Sequence, residues 1–271
     1  MSSQPFIAYN GQILKAKQRF IDGLAPGSSG VGKIGVFETM RVCDGKTVLF
    51  SQHIRRMRRG LKLYGIKILF GQRKILSTIK KVLQKNHLRN GSVRVSVWRK
   101  NNQTQWVVVC RTLPKLKKGY RAIIAKQKRN PSAYSRIKSI DYGVFNRAYA
   151  QAKRQKADEA LLLNRKKYLV EGSRTNIFGV KDNVLLTPPI SSGCLDGITR
   201  KVVMALAKKE GMTVKEKNLR LNEFLESDEA FLTNSALQIM PLVAVNGKKM
   251  GNGKPGPVTK RLAANSHCPA E

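Results

Sequence analysis

Residues 135–145 read SRIKSIDYGVF and hold one lysine, Lys138, in a chain with 52 lysines and arginines. An amine attacks a carbonyl only when partly neutral. A cationic, desolvated pocket supplies that condition by depressing its pKa. A carboxylate, Glu171, follows in YLVEGSRTNIFGV. Further on, LDGITR places Gly197, Ile198 and Thr199 at a helix start. Unpaired backbone N–H groups and the helix dipole attract an anion there, and Thr199 adds a hydroxyl. An Asp196 cap at the same end would work against an anion. EAFLTNS brings Asn234 and Ser235 to a strand end. Four cysteines (43, 110, 194 and 268) and three histidines (53, 87 and 267) are scattered, with neither metal-ligand spacing nor the density of a disulfide scaffold.

Alternating α and β patterns must position these groups. Asn10-Gly11 marks an early turn. GVFETMRV (35–42) and TVLF (47–50) read as strands around the turn Asp44-Gly45. SQHIRRMRRGLKLYG reads as a helix capped by Ser51, lined by Ile54, Met57 and Leu61, and ended by Gly65. RKILSTIKKVLQKN reads as a second helix with Ile75, Ile79, Val82 and Leu83 inward. SVRVSVWR and QWVVVCR pair through the polar KNNQ turn. TLPKLKKGYR resembles a linker. A second α/β unit follows, with strands at EALLLN, TNIFGV, VLLTPP, EAFLTNS and PLVAV and a helix over ITRKVVMALAKKEGM.

The formal charge of +36 exceeds what solubility requires and is uneven. From Gly45 to Ile140 there is no Asp or Glu against 26 Lys and Arg, whereas 141–271 holds 21 basic and 13 acidic residues. Such a half would associate with polyanions in a salt-sensitive, nonspecific way. The charges are interleaved with regular apolar positions, and no RNA-binding aromatic motif, zinc finger or low-complexity tail accompanies them. No apolar run approaches the ~20 residues of a membrane span, the start lacks a signal-peptide core, and a cytoplasmic location is the expectation.

Together, GVFETMRV, FSQHIRRMRRGL, KSIDY, YLVEGSRTNIFGV, SSGCLDGITRKVV and EAFLTNSALQIMPLV resemble the class IV aminotransferases. These are the fold-type IV enzymes of pyridoxal 5′-phosphate, including branched-chain and D-amino acid aminotransferases and aminodeoxychorismate lyase. The resemblance runs from about Asn10 to Leu262. It implies that Lys138 forms the Schiff base with the cofactor aldehyde and shuttles the proton between Cα and C4′. Asp141 stands where the family commonly has Asn, and a carboxylate there would favour a protonated lysine. Tyr142 resembles the tyrosine that hydrogen-bonds the cofactor's phenolic oxygen; a packed aromatic is its other reading. Glu171 matches the glutamate facing the pyridine nitrogen, where it favours the protonated ring as electron sink. Asn176 braces the turn that follows.

The resemblance assigns the cofactor's surroundings to Leu195, Gly197, Ile198 and Thr199 and completes the phosphate cradle with Asn234 and Ser235. Arg56 matches the phosphate arginine of an H-I-x-R pattern, although helical periodicity puts it opposite the Ile54/Met57/Leu61 stripe, on the surface. Arg94 sits where some branched-chain relatives place a pocket arginine, with a solvent-facing strand arginine equally open. Ala236 joins it as a substrate contact.

The implied fold is α/β (α+β): a smaller N-terminal α/β domain (1–114), a linker (115–124) and a larger mixed-sheet domain (125–271), with the cofactor at their interface in a homodimer. The implied activity is amino transfer between a branched-chain or similar amino acid and a 2-oxo acid. Two alternatives remain: an aminodeoxychorismate lyase forming 4-aminobenzoate and pyruvate, since the forms GVFETMRV and FLTNS are closer to the lyase and D-amino acid branches than to the branched-chain pattern, and a catalytically silent basic protein that binds polyanions.

Overall fold

The computed structural model describes residues 4–68 and 70–266. His267 and Cys268 lie outside the described residues, as do the first three residues of the segment read for a leader. Contacts divide the chain into two units. Among the described residues, one comprises those up to Pro114 together with Ile137–Tyr142; the other comprises Lys115–Arg136 and residues 143–266. The Lys138 segment, placed with the second half in the sequence reading, thus clusters with the first unit.

The first unit runs β1 (Phe6–Tyr9), β2 (Gln12–Lys15), α1 (Gln18–Gly23), β3 (Gly35–Cys43), β4 (Lys46–Thr47), α2 (Phe50–Leu63), α3 (Gln72–Lys85), β5 (Gly91–Lys100) and β6 (Gln103–Arg111). Its antiparallel sheet has the order β2-β1-β6-β5-β3-β4. Asn10-Gly11 and Asn101-Asn102 take positive φ at the β1–β2 and β5–β6 turns, as two-residue hairpins require. Ile54, Met57 and Leu61 of α2 and Ile75, Ile79, Val82 and Leu83 of α3 pack on Val36, Met40, Val93 and Val95 of the sheet. Each such side chain contributes roughly 1.5–3 kcal/mol on burial.

Two local expectations are corrected. The strand expected over 47–50 stops at Thr47: the Val48 N–H still bonds the Arg41 carbonyl in register, but Leu49 turns into the left-handed region and Phe50 already opens α2. Ser51 therefore lies inside the helix, and Leu49, at φ 55°, takes the N-cap place without a side-chain cap.

The second unit runs β7 (Tyr120–Lys128), α4 (Gly143–Arg154), β8 (Glu159–Leu163), β9 (Leu169–Gly172), β10 (Asn176–Lys181), β11 (Val184–Thr187), a 3-10 turn (Ile190–Ser192), α5 (Ile198–Lys209), β12 (Thr213–Glu216), α6 (Leu221–Leu225), β13 (Glu229–Asn234), β14 (Gln238–Val245), β15 (Lys248–Lys249) and α7 (Pro257–Asn265). The expected linker 115–124 is shorter than read, since Tyr120 begins β7 and, with Ala122, faces the core. The sheet order is β12-β11-β10-β13-β14-β7-β8-β9, with β15 beside β14. It is mixed: β14, β7 and β8 run parallel, as do β11 and β12, and the other pairs are antiparallel. Val203 of α5 and Leu262 of α7 pack with Phe178 and Phe231, while Ala148 and Ala152 of α4 pack with Ala160 and Leu162. Among the described residues, no helix is long and apolar enough to cross a membrane.

Candidate active site

In the first unit, Lys138 is held by backbone pairing along the N-terminal half of β3. The Phe37 N–H donates to the Lys138 carbonyl at 2.9 Å, and the Ile140 N–H donates to the Gly35 carbonyl at 2.9 Å. A helix covers this junction closely. A Cβ at Gly60 of α2 would meet both Ile137 and Val36 at 2.8 Å, so glycine is required there despite its cost in a helix interior. The half-buried Lys138 places Nζ 4.7 Å from the centre of the Phe37 ring, and buried Tyr142 meets the same ring edge-on at 5.2 Å. Tyr142 is thus a packed aromatic of this unit, and its contact to a phenolic oxygen stays a proposal. Asp141 is exposed, where solvent screens its charge.

Behind these residues lies a buried ionic cluster. Glu38 on β3 accepts two bonds from Arg56, from Nε and a terminal nitrogen, each at 2.7 Å. It also pairs with His53 Nδ1 at 2.7 Å. Burial acts to raise the Glu38 pKa, but the Arg56 charge and the hydrogen bonds from Arg56 and His53 outweigh it, leaving the carboxyl at about 2. Burial pushes the His53 pKa down against the pull of Glu38, with Arg56 and Lys138 adding to the downward shift. Arg56 therefore corrects its surface assignment: it is 7% exposed. The buried face of α2 is wider than the apolar stripe, because His53, Arg56 and Gly60 form a second row beside it.

In the second unit, Glu171 is the penultimate residue of β9 and is 4% exposed. Its Oε2 accepts the Leu195 N–H at 3.0 Å, and its Oε1 lies 3.4 Å from Nε of Arg129. Arg129 is fixed in turn by donating to the Ser135 carbonyl at 3.1 Å and by lying over the Phe145 ring at 5.0 Å. The turn after Glu171 is clamped from behind by Glu159. This buried carboxylate accepts the N–H groups of Ala160, Ser173 and Arg174 and the hydroxyls of Ser173 and Thr175.

Leu195 then leads into α5. Its carbonyl accepts from Asn176 Nδ2 at 3.0 Å, so Asn176 braces the loop. A Cβ at the N-cap Gly197 would collide with Oδ1 of the same asparagine. The α5 N-terminus carries no side-chain cap, and Asp196 pairs with Lys201 at 2.6 Å instead of capping. The first N–H groups of the helix thus stay open to an anion. Ile198 is buried, and the Thr199 hydroxyl donates to Ser235 Oγ at 3.3 Å. The Asn234 side chain is used locally, its Oδ1 accepting the N–H groups of Ala236 and Leu237. Burial pushes the Cys194 thiol up to about 12, too high for a thiolate nucleophile.

The residues of the second unit fit the two ends of a phosphorylated pyridine. An open helix N-terminus with two hydroxyls suits the phosphate, and a fixed carboxylate suits a ring nitrogen. Lys138, Tyr142 and Arg56 belong to the first unit, and Arg94 lies on its strand β5 opposite Thr39 of β3. Sequence reasoning missed Glu38, Arg129 and Glu159. Glu38 had a signal, because it falls in phase with Val36, Met40 and Val42 on the buried face of β3.

The family model for amino-transferase class IV matches residues 35–245. A Methanocaldococcus jannaschii protein, provisionally named a branched-chain-amino-acid aminotransferase, is 34% identical over 242 residues, 84% of each chain. A D-alanine aminotransferase of Bacillus licheniformis is 26% identical over 94% of each chain. An aminodeoxychorismate lyase of Bacillus subtilis is 29% identical over 91% of this chain and 88% of its own. Among solved structures, the T.th. branched-chain amino acid aminotransferase with pyridoxamine 5′-phosphate superposes with a TM-score of 0.87 at 25% identity, covering 98% of this chain and 94% of that one. The same enzyme complexed with N-(5′-phosphopyridoxyl)-L-glutamate gives 0.86 at 26% identity, covering 97% and 93%.

Proposed function

Since the chain belongs to the class IV aminotransferases and is an enzyme, we propose that it uses pyridoxal 5′-phosphate to move an amino group between a branched-chain or similar amino acid and a 2-oxo acid. The observation that carries this reading is the loop 195–197. One end of it fixes the Glu171 carboxylate and the other begins an uncapped helix, so a single short segment serves both ends of the cofactor. When bound, the cofactor supplies an electron sink for the carbanion at the substrate Cα.

The roles of the protein groups follow. Lys138 holds the cofactor through its amine and carries the proton between Cα and C4′. Glu171 keeps a negative charge at the ring nitrogen. The first N–H groups of α5, Thr199, Ser235 and Arg56 take the phosphate, and Tyr142 takes the phenolic oxygen. Arg94 and the Ala236 region face the substrate. Glu38 and His53 hold Arg56 in place, since a buried guanidinium needs a partner charge. The relatives named for branched-chain substrates and the glutamate adduct of the T.th. enzyme support an aliphatic donor with 2-oxoglutarate as acceptor. We further propose a homodimer and a cytoplasmic location, as the family resemblance implies.

The second reading is aminodeoxychorismate lyase, supported by the Bacillus subtilis relative and by the GVFETMRV and FLTNS motifs, which resemble the lyase and D-amino acid branches alike. Purified holoenzyme assayed with L- and D-amino acids plus 2-oxoglutarate, and separately with aminodeoxychorismate, tests both. Transfer from L-leucine, L-isoleucine or L-valine is expected. Release of 4-aminobenzoate without transamination would replace the proposal with the second reading. Borohydride is expected to fix the cofactor on Lys138, and labelling of another lysine would remove Lys138 from its role.

A further inference from the structure

The proposed chemistry uses only Arg56, Arg94 and Lys138 of the 26 lysines and arginines in the acid-free stretch 45–140, and the fold gathers nine of the others on one surface. Helices α2 and α3 both cover the same face of the six-stranded sheet through their apolar stripes. Their outer sides are therefore presented together. On α2, Arg55, Arg58, Arg59 and Lys62 are exposed. On α3, Arg73, Lys74, Lys80, Lys81 and Lys85 are exposed. No ion pair is formed by any of these nine side chains among the described residues. The carboxylates paired in this unit are Glu38, taken by Arg56 and His53, and Asp44 and Asp22, taken by Arg89 and Arg111. The remaining exposed side chains of the two helices are Ser51, Gln52, Ser77, Gln72, Gln84 and a single large apolar residue, Leu63.

From this face we infer a docking surface for the phosphodiester backbone of a nucleic acid, separate from the amino-transfer site. Charge complementarity carries the choice of partner. At ~1.5 Å per residue the α2 cations span about 10 Å and the α3 cations about 18 Å. With one phosphate per ~3.4 Å of strand, these lengths match about three and about five phosphates. The arginines of α2 suit phosphate oxygens because the guanidinium donates in a planar fork. An anionic bilayer is the weaker match, since an interfacial helix buries an apolar face in the membrane and these helices spend theirs on the sheet. The face offers no aromatic side chain for base stacking, so binding is independent of sequence.

The test uses full-length holoenzyme and a labelled ~30-nucleotide RNA or DNA strand, with affinity followed across ~50–200 mM salt. Two charge-reversal triples are compared at equal net charge: Arg73→Glu/Lys80→Glu/Lys81→Glu on α3, and Lys215→Glu/Lys248→Glu/Lys254→Glu in the second unit. The α3 triple is expected to weaken binding at least ~10-fold and to lower the slope of log affinity on log salt by about 2, from three lost phosphate contacts. The second-unit triple is expected to change affinity less than ~3-fold, with its slope nearly intact. Melting temperature and transaminase turnover, measured on each triple, establish that the variants are folded. Equal losses from the two triples would overturn the proposal, as a diffuse charge would act alike everywhere. Binding to phosphatidylserine vesicles but to neither nucleic acid would also overturn it, in favour of a membrane surface.

Discussion

Glu38 in the first unit and Glu159 in the second are both almost fully removed from water, yet their carboxyl groups shift in opposite directions. For both, burial is the largest influence and raises the pKa. Around Glu38 two cation-forming side chains reverse that effect and leave it at about 2. Around Glu159 the partners are hydroxyls and backbone N–H groups, which offset burial only in part, so its pKa stays above the ordinary 4.5. Burial thus sets the cost of a charge, and the charge of the partner decides whether that cost is recovered. Each unit shows one of these outcomes. An ion cluster stands behind Lys138, and a turn held by neutral donors stands behind Glu171.

The largest effect is expected from Glu38→Gln. It leaves Arg56 buried beside a neutral amide and should lower unfolding free energy by about 3–5 kcal/mol in urea titration. A loss no greater than that of Glu159→Gln would erase the distinction between the two carboxylates. The pH profile sharpens it. The Glu38 pKa is depressed on folding, so its contribution is present above pH 4.5 and is lost as pH falls toward about 2. The variant should therefore flatten the acid limb of stability in that window.

Glu171→Gln comes next. Glu171 is the mixed case, with a backbone donor on one oxygen and Arg129 near the other. The variant keeps shape but loses the charge, and single-turnover proton removal from substrate should slow by ~10²-fold, about 2.7 kcal/mol, with cofactor still bound. An unchanged rate would take Glu171 out of its proposed role.

Glu159→Gln should cost about 1–3 kcal/mol, because one amide oxygen cannot replace two carboxylate oxygens facing only donors. Its pH signature has the opposite sign to that of Glu38. A carboxyl whose pKa is raised on folding stabilises the fold below pH 4.5 and loses that contribution as pH rises through the folded value. Wild type should gain on Glu159→Gln as the solution is acidified. Parallel pH profiles for the Glu38 and Glu159 variants would contradict the contrast.

The smallest change is expected from His53→Gln. The His53 pKa is lowered from 6.5, so its favourable contribution exists above that pH and declines as pH falls. Melting temperatures of wild type and variant should converge from pH 7 toward pH 5. A constant difference would mean that His53 serves Glu38 only through shape.

Much of this molecule was legible in advance. The apolar periods of α2 and α3, the hairpin turns at Asn10-Gly11 and Asn101-Asn102 and the helix start at Gly197 all depend on residues within a few positions of one another. Misreadings arose at the ends of elements. The left-handed Leu49 turns the chain into α2 at Phe50, which ended β4 early and displaced Ser51 from its capping place. The core-facing run from Tyr120 shortened the linker.

The sequence by itself determined which residue types stand where chemistry needs them: a lysine in KSIDY, a glutamate before a glycine turn, and a helix start without a bulky side chain. Periodicity and motif spacing carry that information because they reflect local backbone geometry. Only the tertiary structure decided who partners whom. Arg56 is buried because Glu38, 18 positions away on another element, offers two oxygens. Glu171 meets Arg129 and Leu195, and Glu159 reaches forward to the turn at Ser173. A charge inside a protein is stable only beside its counterpart. That counterpart is brought close by packing, which no local pattern encodes.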